Sequence, residues 1–225
     1  MQEYVIIVAG GSGSRMKSDI PKQFIAVNGL PILMHTINAF REYSTTLNII
    51  VVLPEAQFAF WKDLCNEFSF QDNHILVAGG ETRFHSVKQG LEAINTNIGL
   101  VAVHDGVRPV ISRKVILNSF ETALASGTAV TAVSMKDSLR QIDAEGKNIA
   151  LNRDSYRLIQ TPQTFRLDWM RNAFDQPYKP TFTDCASVLE SAGYPIHLIE
   201  GAYENIKITT SEDLRWAEIY LKKNS

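Results

Sequence analysis

The feature that most constrains the fold is an alternation of short apolar runs with segments of helical periodicity. The apolar runs have the length of β-strands and lie at residues 4–9, 49–53, 75–78, 100–104, 129–133 and 196–199. Between most of them, apolar residues recur with a helical period near residues 32–43, 56–68, 84–94 and 113–125. Strands that alternate with helices join through right-handed crossovers into a mostly parallel sheet covered on both faces. The sequence therefore predicts an α/β fold, doubly wound and Rossmann-like.

Size, charge and cysteine content narrow the possible function classes. A chain of 225 residues can bury a complete core, and we expect a single domain over 1–225. The net charge of −2 gives no overall basic field that would indicate a nucleic-acid partner. No apolar run approaches the roughly 20 residues of a membrane span, and the N-terminus lacks the pattern of a secretory signal. With Cys65 and Cys185 isolated from each other, these features predict a cytoplasmic protein without a membrane or nucleic-acid partner.

A glycine-rich loop follows the first predicted strand. The stretch Val8-Ala-Gly-Gly-Ser-Gly-Ser-Arg-Met16 carries glycine at positions 10, 11 and 13, and Lys22 follows shortly after Arg15. Glycine lets backbone N–H groups approach a ligand closely, because no Cβ intervenes. The loop therefore indicates a polyphosphate site. There Arg15 and Lys22, the candidate catalytic residues, would stabilise the negative charge that grows when one phosphorus is attacked.

Two commoner glycine-rich signatures do not fit this loop. The dinucleotide pattern G-x-G-x-x-G, counted from Gly11 and Gly13, requires glycine where the chain has Met16. The pattern G-x-x-x-x-G-K-[ST], counted from Gly10 or Gly11, reaches Arg15 or Met16 instead of glycine. A nicotinamide oxidoreductase is therefore disfavoured. A tight strand-to-helix turn with incidental basic residues remains the alternative interpretation.

Two later motifs also follow predicted strands. Gly79 and Gly80 come after the third strand, and His104 and Asp105 end the fourth. Because ligands of open α/β sheets bind at the carboxyl ends of the strands, we expect these motifs and the glycine loop to share one crevice. Asp105 could meet Mg²⁺, which usually takes one or two protein carboxylates together with phosphates and water. His104 is better interpreted as a structural residue, because an attacking phosphate is already ionised and needs no base.

Residues 134–160 interrupt the alternation of strands and helices. Segments 134–142 and 148–153 flank Asp143-Ala-Glu-Gly-Lys147, which is typical of a hairpin with a glycine-containing turn. An isolated hairpin is marginal in water, and this one has little apolar content. We therefore predict a projecting β-arm that packs against another surface.

An ordered series of motifs resembles a known family. Ala9-Gly-Gly-x-Gly-x-Arg-Met16 followed by Pro21-Lys-Gln23 is similar to the signature of sugar-nucleotide pyrophosphorylases and related nucleotidyltransferases. The motifs that follow are Ala78-Gly-Gly-Glu-Thr-Arg-Phe-His-Ser86, Val103-His-Asp-Gly-Val-Arg-Pro109, Gln160-Thr-Pro-Gln-Thr-Phe165, Thr183-Asp184 and Asn205-Ile-Lys-Ile-Thr209. Together, from residue 4 to about residue 221, they resemble the 2-C-methyl-D-erythritol 4-phosphate cytidylyltransferase family.

The resemblance implies a transferase of isoprene biosynthesis. Such an enzyme uses CTP and a polyol phosphate, takes Mg²⁺ as cofactor and releases pyrophosphate. The family also implies a homodimer, because in it the region that corresponds to residues 134–160 embraces a second subunit.

The resemblance further implies roles for individual residues. The nucleotide-binding set is Ala9, Gly10, Gly11, Ser12, Gly13, Gly80, Glu81, Arg83, Ser86, Asp105 and Gly106. The acceptor-binding set is Asp105, Arg108, Ser138, Arg153, Thr161, Thr183 and Lys207, and Asp105 is also the metal ligand. The chain departs from the family at Glu81, where Asp is common, and at Ser138, where Thr is usual. Ser86 could instead cap a helix, as could Thr183 and Asp184.

Two other functions remain open from the sequence. Ribitol-5-phosphate cytidylyltransferases share the glycine loop and two later motifs, and Val107 and Thr164 lean mildly towards them. A non-catalytic nucleotide-binding protein is the alternative from another class. The joint presence of Arg15, Lys22 and Asp105 speaks against it.

Overall fold

A computed structural model of the chain describes residues 1–11 and 20–223. The strands are β1 (Glu3–Val8), β2 (Ala26–Val27), β3 (Leu30–Pro31), β4 (Asn48–Leu53), β5 (Ile75–Ala78), β6 (Leu100–Asp105), β7 (Thr128–Ser134), β8 (Leu139–Ile142), β9 (Asn148–Leu151), β10 (Arg157–Arg166) and β11 (Leu198–Glu200). The helices are α1 (Ile32–Tyr43), α2 (Phe58–Glu67), α3 (Arg83–Glu92), α4 (Arg113–Ser126), α5 (Leu167–Phe174), α6 (Cys185–Ser191) and α7 (Ser211–Lys223). The predicted site residues Ser12, Gly13 and Arg15 lie outside the described residues.

The central sheet confirms the predicted α/β architecture. Within the described ranges it has seven strands in the order β11-β7-β10-β6-β1-β4-β5. All neighbours run parallel except β10, which is antiparallel to both β6 and β7. The apolar runs predicted as strands form β1, β4, β5, β6 and β7, and β11 covers only the end of the run 196–199. The fold is thus doubly wound and mostly parallel, with one strand that the alternation of apolar runs does not predict.

Helices cover both faces of this sheet. On one face Val5 and Ile7 of β1 pack in a core with α1, α2 and α4. On the other face Ile6 packs with α3, α5 and α6. All three side chains are fully buried, because a strand between two helical layers presents neither face to water. This double burial explains why β1 is a continuous apolar run rather than an alternating one.

A third apolar cluster holds the segments beside the carboxyl edge of the sheet. Ala217 of α7 packs with Val27 of β2, with Val107 after β6 and with Ile208. The Ile208 N–H also donates to the Val107 carbonyl at 2.9 Å. The chain before α7 is therefore fixed next to the turn that follows β6. None of the helices in the described ranges is both long and apolar enough to pass through a membrane.

The predicted β-arm is present but narrower than 134–160. Strands β8 and β9 pair antiparallel around the predicted turn, with Leu139 opposite Leu151. The ends of the predicted range belong instead to the central sheet, where Ser134 of β7 pairs with Arg157 of β10. Ile142 and Ile149 of the hairpin are 69% and 61% exposed. The arm therefore leaves its apolar side chains uncovered within one chain.

Candidate active site

A pocket of about 230 Å³ lies where β1, β5 and β6 end. Its lining includes the predicted site residues Ala9, Gly10, Gly11, Lys22, Gly80, Glu81, Arg83, Ser86, Asp105 and Lys207. Val8, Gln23, Thr82 and Val107 complete it. The expectation that three strand ends share one crevice is therefore correct.

A larger groove of about 850 Å³ around Arg41 and Asp72 shares none of these residues. Its central Arg41 is already bound to Asp72 and to nearby carbonyls.

Lys22 lies directly beside the glycine loop. It opens a short 3-10 turn, Lys22–Phe24, after Pro21, and only 9% of the residue is exposed. A Cβ built at Gly11 would lie 3.6 Å from the Lys22 Cε and 3.9 Å from its Nζ. These are ordinary contact distances, so the lysine side chain packs directly against the backbone that follows β1.

Asp105 is the centre of a cluster of three cations. Its Oδ2 lies 3.0 Å from the Lys207 Nζ and 3.3 Å from the Arg108 Nε, and its Oδ1 lies 3.7 Å from the Arg83 Nε. Burial by itself would raise the pKa of this carboxyl group. The positive charges of Arg83, Lys207 and Arg108 outweigh that effect and hold the pKa well below its usual range. Asp105 is therefore ionised at neutral pH and gathers cations from three separate segments.

Thr161 also contacts Asp105, from a fourth segment. The Asp105 N–H donates to the Thr161 Oγ1 at 3.1 Å. Arg108 makes a further bond, from its Nη1 to the Asn205 carbonyl at 2.8 Å. Three predicted acceptor-binding residues therefore meet at Asp105: Arg108 and Lys207 at its carboxylate and Thr161 at its N–H. Of the three, Lys207 is among the described residues that line the pocket, whereas Arg108 and Thr161 are not.

The second glycine loop is held against the start of α3. Thr82 is the N-cap of this helix, because its side chain accepts from the His85 N–H. Ser86 is therefore not the cap; its Oγ accepts from the Gly80 N–H at 3.2 Å and donates to the Gly80 carbonyl at 3.3 Å. A Cβ at Gly80 would lie only 2.5 Å from the His85 Cβ, so this approach requires glycine. The loop and Ser86 form one unit at the pocket wall.

His104 and Gly106 lie on either side of Asp105 without lining the pocket. The fully buried His104 ring donates from Nε2 to the Arg108 carbonyl at 3.1 Å. Burial lowers the pKa of His104 to about 4, so the ring is neutral and structural, as the sequence predicts. Gly106 lies beneath the pocket, where a Cβ would stand 2.8 Å from the Ala9 Cβ.

Thr183 and Asp184 precede α6, and Asp184 caps that helix. Its side chain accepts from the Ser187 N–H at 2.8 Å, and the Ser187 Oγ accepts from the Asp184 N–H at 3.2 Å. Of the two interpretations left open for Asp184, the structure shows the cap. Thr183 is exposed and is not among the residues that line the pocket.

Ser138 and Arg153 lie on the arm rather than at the pocket of their own chain. Both are exposed, and neither belongs to the described pocket lining. The Arg153 Nη1 donates to the Lys136 carbonyl across the base of the hairpin. The predicted acceptor-binding set is thus divided between the crevice and the arm.

Sequence reasoning missed the buried amides that support the site. Gln160, Gln163 and Asn205 are at most 8% exposed. The Gln163 Oε1 accepts from the Cys185 and Ala186 N–H groups, both at 3.1 Å, and so holds the start of α6. The signal was present, because all three residues belong to the motifs around 160–165 and 205–209. A buried amide can be distinguished from an exposed one only when the fold is known.

A magnesium ion fits this crevice only in company with phosphate. No group of three or more His, Cys, Asp or Glu side chains that could hold a metal ion occurs within residues 1–11 and 20–223. Asp105 supplies a single carboxylate, which already faces three cations. One carboxylate suits Mg²⁺ when phosphate oxygens and water complete the octahedron. The residues therefore fit a metal that enters with a nucleotide.

Comparison with known proteins shows a likeness along nearly the whole chain. The family model for 2-C-methyl-D-erythritol 4-phosphate cytidylyltransferase matches residues 4–223. The protein of that name from Bacteroides thetaiotaomicron is 49% identical over 215 residues, which are 96% of this chain and 97% of that protein. The crystal structure of the Francisella tularensis 2-C-methyl-D-erythritol 4-phosphate cytidylyltransferase superposes with a TM-score of 0.82 and 34% identity, over 98% of this chain and 100% of that chain. The 4-diphosphocytidyl-2C-methyl-D-erythritol synthase of Anaerococcus prevotii gives a TM-score of 0.83 and 29% identity, over 98% of both chains.

Proposed function

The chain belongs to the 2-C-methyl-D-erythritol 4-phosphate cytidylyltransferase family, and we propose that its crevice transfers the cytidylyl group of CTP to the phosphate of 2-C-methyl-D-erythritol 4-phosphate. The chain is accordingly a nucleotidyltransferase of isoprenoid precursor synthesis. The observation that carries the proposal is that Lys22 lines one pocket with Asp105 and two of its cationic partners, Arg83 and Lys207. Such a pocket suits two phosphate-bearing substrates, because its three cations, Lys22, Arg83 and Lys207, outnumber its two carboxylates, Glu81 and Asp105.

The reaction is an in-line displacement at phosphorus. An oxygen of the acceptor phosphate forms a bond to the α-phosphorus of CTP, the bond from that phosphorus to the bridging oxygen breaks, and pyrophosphate leaves with the electron pair. Lys22 lies beside the glycine loop, where it can stabilise the charge that grows on the α-phosphate. Arg15, which lies outside the described residues, has the same role by its motif. A buried neutral His104 agrees with a reaction that needs no general base.

The nucleotide base contacts the two glycine loops in this proposal. Gly10 and Gly11, which follow β1, line the pocket together with Gly80. Their backbone groups can approach the cytosine edge because no side chain intervenes. The Ser86 hydroxyl holds the Gly80 backbone in place, because it hydrogen-bonds both the N–H and the carbonyl of Gly80. We assign cytosine selection to this unit.

The acceptor phosphate binds at Arg108, Thr161 and Lys207, of which Lys207 is among the described residues that line the pocket. Lys207 is the most accessible cation of the cluster, with 44% of its side chain exposed against 11% for Arg108. It can therefore turn from Asp105 to an arriving phosphate, whereas Arg108 is fixed by its bond to the Asn205 carbonyl. Asp105 keeps the cations in place before the substrate enters.

Mg²⁺ is the proposed cofactor, carried in by the triphosphate, with Asp105 as its ligand from the protein. When bound, it would neutralise charge on the phosphate oxygens. Activity should then depend on added Mg²⁺ and should be lost with EDTA.

A homodimer completes the proposal. The arm exposes Ile142 and Ile149 and carries Ser138 and Arg153 away from the pocket of its own chain. A second copy would cover the apolar side chains and receive the polar ones.

We also propose a cytoplasmic location, in keeping with two free thiols, Cys65 and Cys185. Light scattering and cell fractionation test these two statements.

A substrate matrix tests the proposed function directly. Pyrophosphate release is measured with CTP, UTP, GTP and ATP, each against 2-C-methyl-D-erythritol 4-phosphate and ribitol 5-phosphate. We expect rapid release only with CTP and the methylerythritol acceptor. A preference for ribitol 5-phosphate would replace the acceptor assignment. No release from any pair, together with CTP binding measured by calorimetry, would favour the non-catalytic nucleotide-binding alternative.

A further inference from the structure

We propose that Asn205 and Gln160 are a positioning pair that fixes the acceptor-phosphate residues relative to one another. This inference rests on the proposed function, because it takes Arg108, Thr161 and Lys207 as the acceptor site. Neither amide lines the pocket, so their effect is transmitted through the residues that they hold, of which Lys207 lines it. They act as positioning residues, not catalytic ones.

Asn205 joins two of the acceptor segments directly. Its side chain is fully buried, and its Nδ2 donates to the Thr161 carbonyl at 2.8 Å and to the Gln160 Oε1 at 3.2 Å. Its backbone carbonyl accepts from the Arg108 Nη1 at 2.8 Å. The Asn205 Oδ1 has no hydrogen-bond partner among the described residues. Asn205 therefore holds the acceptor segments together through the two hydrogen bonds that its side chain donates and the one that its backbone carbonyl accepts.

Gln160 fixes the chain that leads to Asn205. Its Nε2 donates to the Ala202 carbonyl at 2.9 Å, and its Oε1 accepts from the Ala202 N–H at 3.4 Å. A Cβ at Gly201 would lie 2.6 Å from that same oxygen, so the segment fits closely against the glutamine. Gln160 also precedes Thr161 in β10, so one residue anchors the segment before Lys207 to the strand that carries Thr161.

A role in packing alone does not require two amides. An apolar pair would fill the space without the desolvation that a buried polar group suffers. The amides instead bind main-chain atoms of β10 and of the loop before α7, and Asn205 also binds Arg108, which contacts Asp105. Lys207 follows two positions after Asn205 and reaches the same carboxylate. A displacement of about 1 Å at such a site can change the rate by about a hundredfold.

Steady-state kinetics of Asn205→Ala and Gln160→Leu test the positioning role. We expect the KM for 2-C-methyl-D-erythritol 4-phosphate to rise about tenfold or more in both variants, while the KM for CTP stays within about twofold. Thr128→Val is the matched control. Thr128 is also fully buried, and its Oγ1 donates to the Pro195 carbonyl at 2.9 Å and accepts from the His197 N–H at 3.0 Å. That variant should lower the Tm without changing either KM.

The outcomes separate this inference from the proposed function. Equal changes in both KM values, or a lowered Tm with both KM values unchanged, would overturn the positioning role. A wild-type protein that accepts neither polyol phosphate would overturn the proposed function itself. If Asn205→Ala does not fold, Gln160→Leu decides the question. It also removes the hydrogen bond between the two amides, by changing the partner that lies on β10.

Discussion

The Lys207 Nζ lies 3.0 Å from the Asp105 Oδ2, and this pair joins the end of β6 to the segment before α7. Arg83 and Arg108 approach the same carboxylate at 3.7 and 3.3 Å. One negative charge therefore faces three positive ones, and two of these cations, Arg83 and Lys207, line the pocket together with Lys22. This is the charge balance that a crevice for two phosphate-bearing substrates needs before either of them binds.

Asp105→Asn should destabilise the fold at neutral pH. Removal of the carboxylate leaves the partly buried Arg83 and Arg108 without their shared partner, and breaking such a pair costs on the order of 3 kcal/mol. Because the pKa of Asp105 is lowered in the folded state, its contribution is complete above the unfolded pKa of about 3.9 and is lost as the pH falls towards the folded value. The Tm difference between wild type and variant should be constant above about pH 5 and shrink below about pH 4.

The exposed pair Lys147–Glu145 provides the control for this titration. The Lys147 Nζ lies 3.3 Å from the Glu145 Oε2, and the two side chains are 80% and 75% exposed. Such exposed ion pairs contribute little to the stability of the fold in water. Glu145→Gln should leave the Tm unchanged across the same pH range. A Tm difference for Asp105→Asn that persists unchanged to about pH 2 would mean that the charge of Asp105 is not the source of its effect.

Lys22→Ala should lower kcat by about 10²- to 10³-fold. The acceptor KM should change by no more than about threefold, because the lysine acts on the charge that develops in the transition state. Arg15→Ala should behave in the same way. Lys114→Ala, an exposed lysine of α4, is the control and should be fully active. Near-normal turnover of the Lys22 variant, measured by pyrophosphate release, would contradict the assignment.

The parallel part of the sheet is predictable from the sequence, and β10 shows why the rest is not. β1 and β4 are continuous apolar runs because both faces of each strand are buried. β10 is equally central, yet its buried residues include Gln160, Thr161, Gln163 and Thr164, and Pro162 interrupts it. Proline argues against a central strand, and the polar side chains find their partners only through tertiary contacts. The Thr131 Oγ1, for example, donates to the Pro162 carbonyl at 2.6 Å.

The same distinction applies to the site. The glycine loops and Asp105 could be placed together because parallel strands bring their carboxyl ends to one edge. Lys207 lies outside the regular elements and Thr161 on the antiparallel strand, so their positions next to Asp105 do not follow from the alternation of strands and helices. Only the resemblance connected them to the site. Gln160 and Asn205 are the amides that hold these residues in place. Apart from their membership of a motif, nothing in the sequence indicated this role.

Ser86→Ala should raise the KM for CTP about tenfold. The hydroxyl makes two bonds with the Gly80 backbone, and loss of a buried hydrogen bond costs about 1–3 kcal/mol. Ser119→Ala removes a comparable buried helix hydroxyl, which donates to the Ile116 carbonyl at 2.8 Å, and should leave this KM unchanged. A Ser86 variant with normal CTP kinetics would show that the hydroxyl is not needed to form the base site.

The His104 ring should remain neutral throughout the physiological pH range. Burial lowers its pKa to about 4, so the stability that it gives as a neutral group is complete above the unfolded pKa of about 6.5 and falls as the pH drops towards the folded value. Nitrogen-15 NMR of the imidazole should show a single neutral tautomer, protonated at Nε2, between about pH 6 and 8. A titration of this ring near pH 6.5 would reopen its interpretation as an acid–base group.

The arm should complete the acceptor pocket of a partner subunit, and a mixing experiment can show it. Arg153 is exposed on the arm and does not line the pocket that contains Lys22 of its own chain. Inactive Lys22→Ala and Arg153→Ala subunits are combined and allowed to exchange. If sites are shared, each mixed dimer has both lesions in one site and an intact second site, and the mixture should recover about a quarter of wild-type activity.

If each subunit instead folds the arm over its own crevice, as a lid does in many transferases, every site keeps one lesion and mixing restores nothing. Tagged subunits and native mass spectrometry establish that mixed dimers have formed, and Lys22→Ala mixed with wild type calibrates the activity of one intact site. The structure favours the shared site, because Ile142 and Ile149 are left uncovered when the arm stands alone. Confirmed mixed dimers without recovered activity, or a fully active monomer, would refute it.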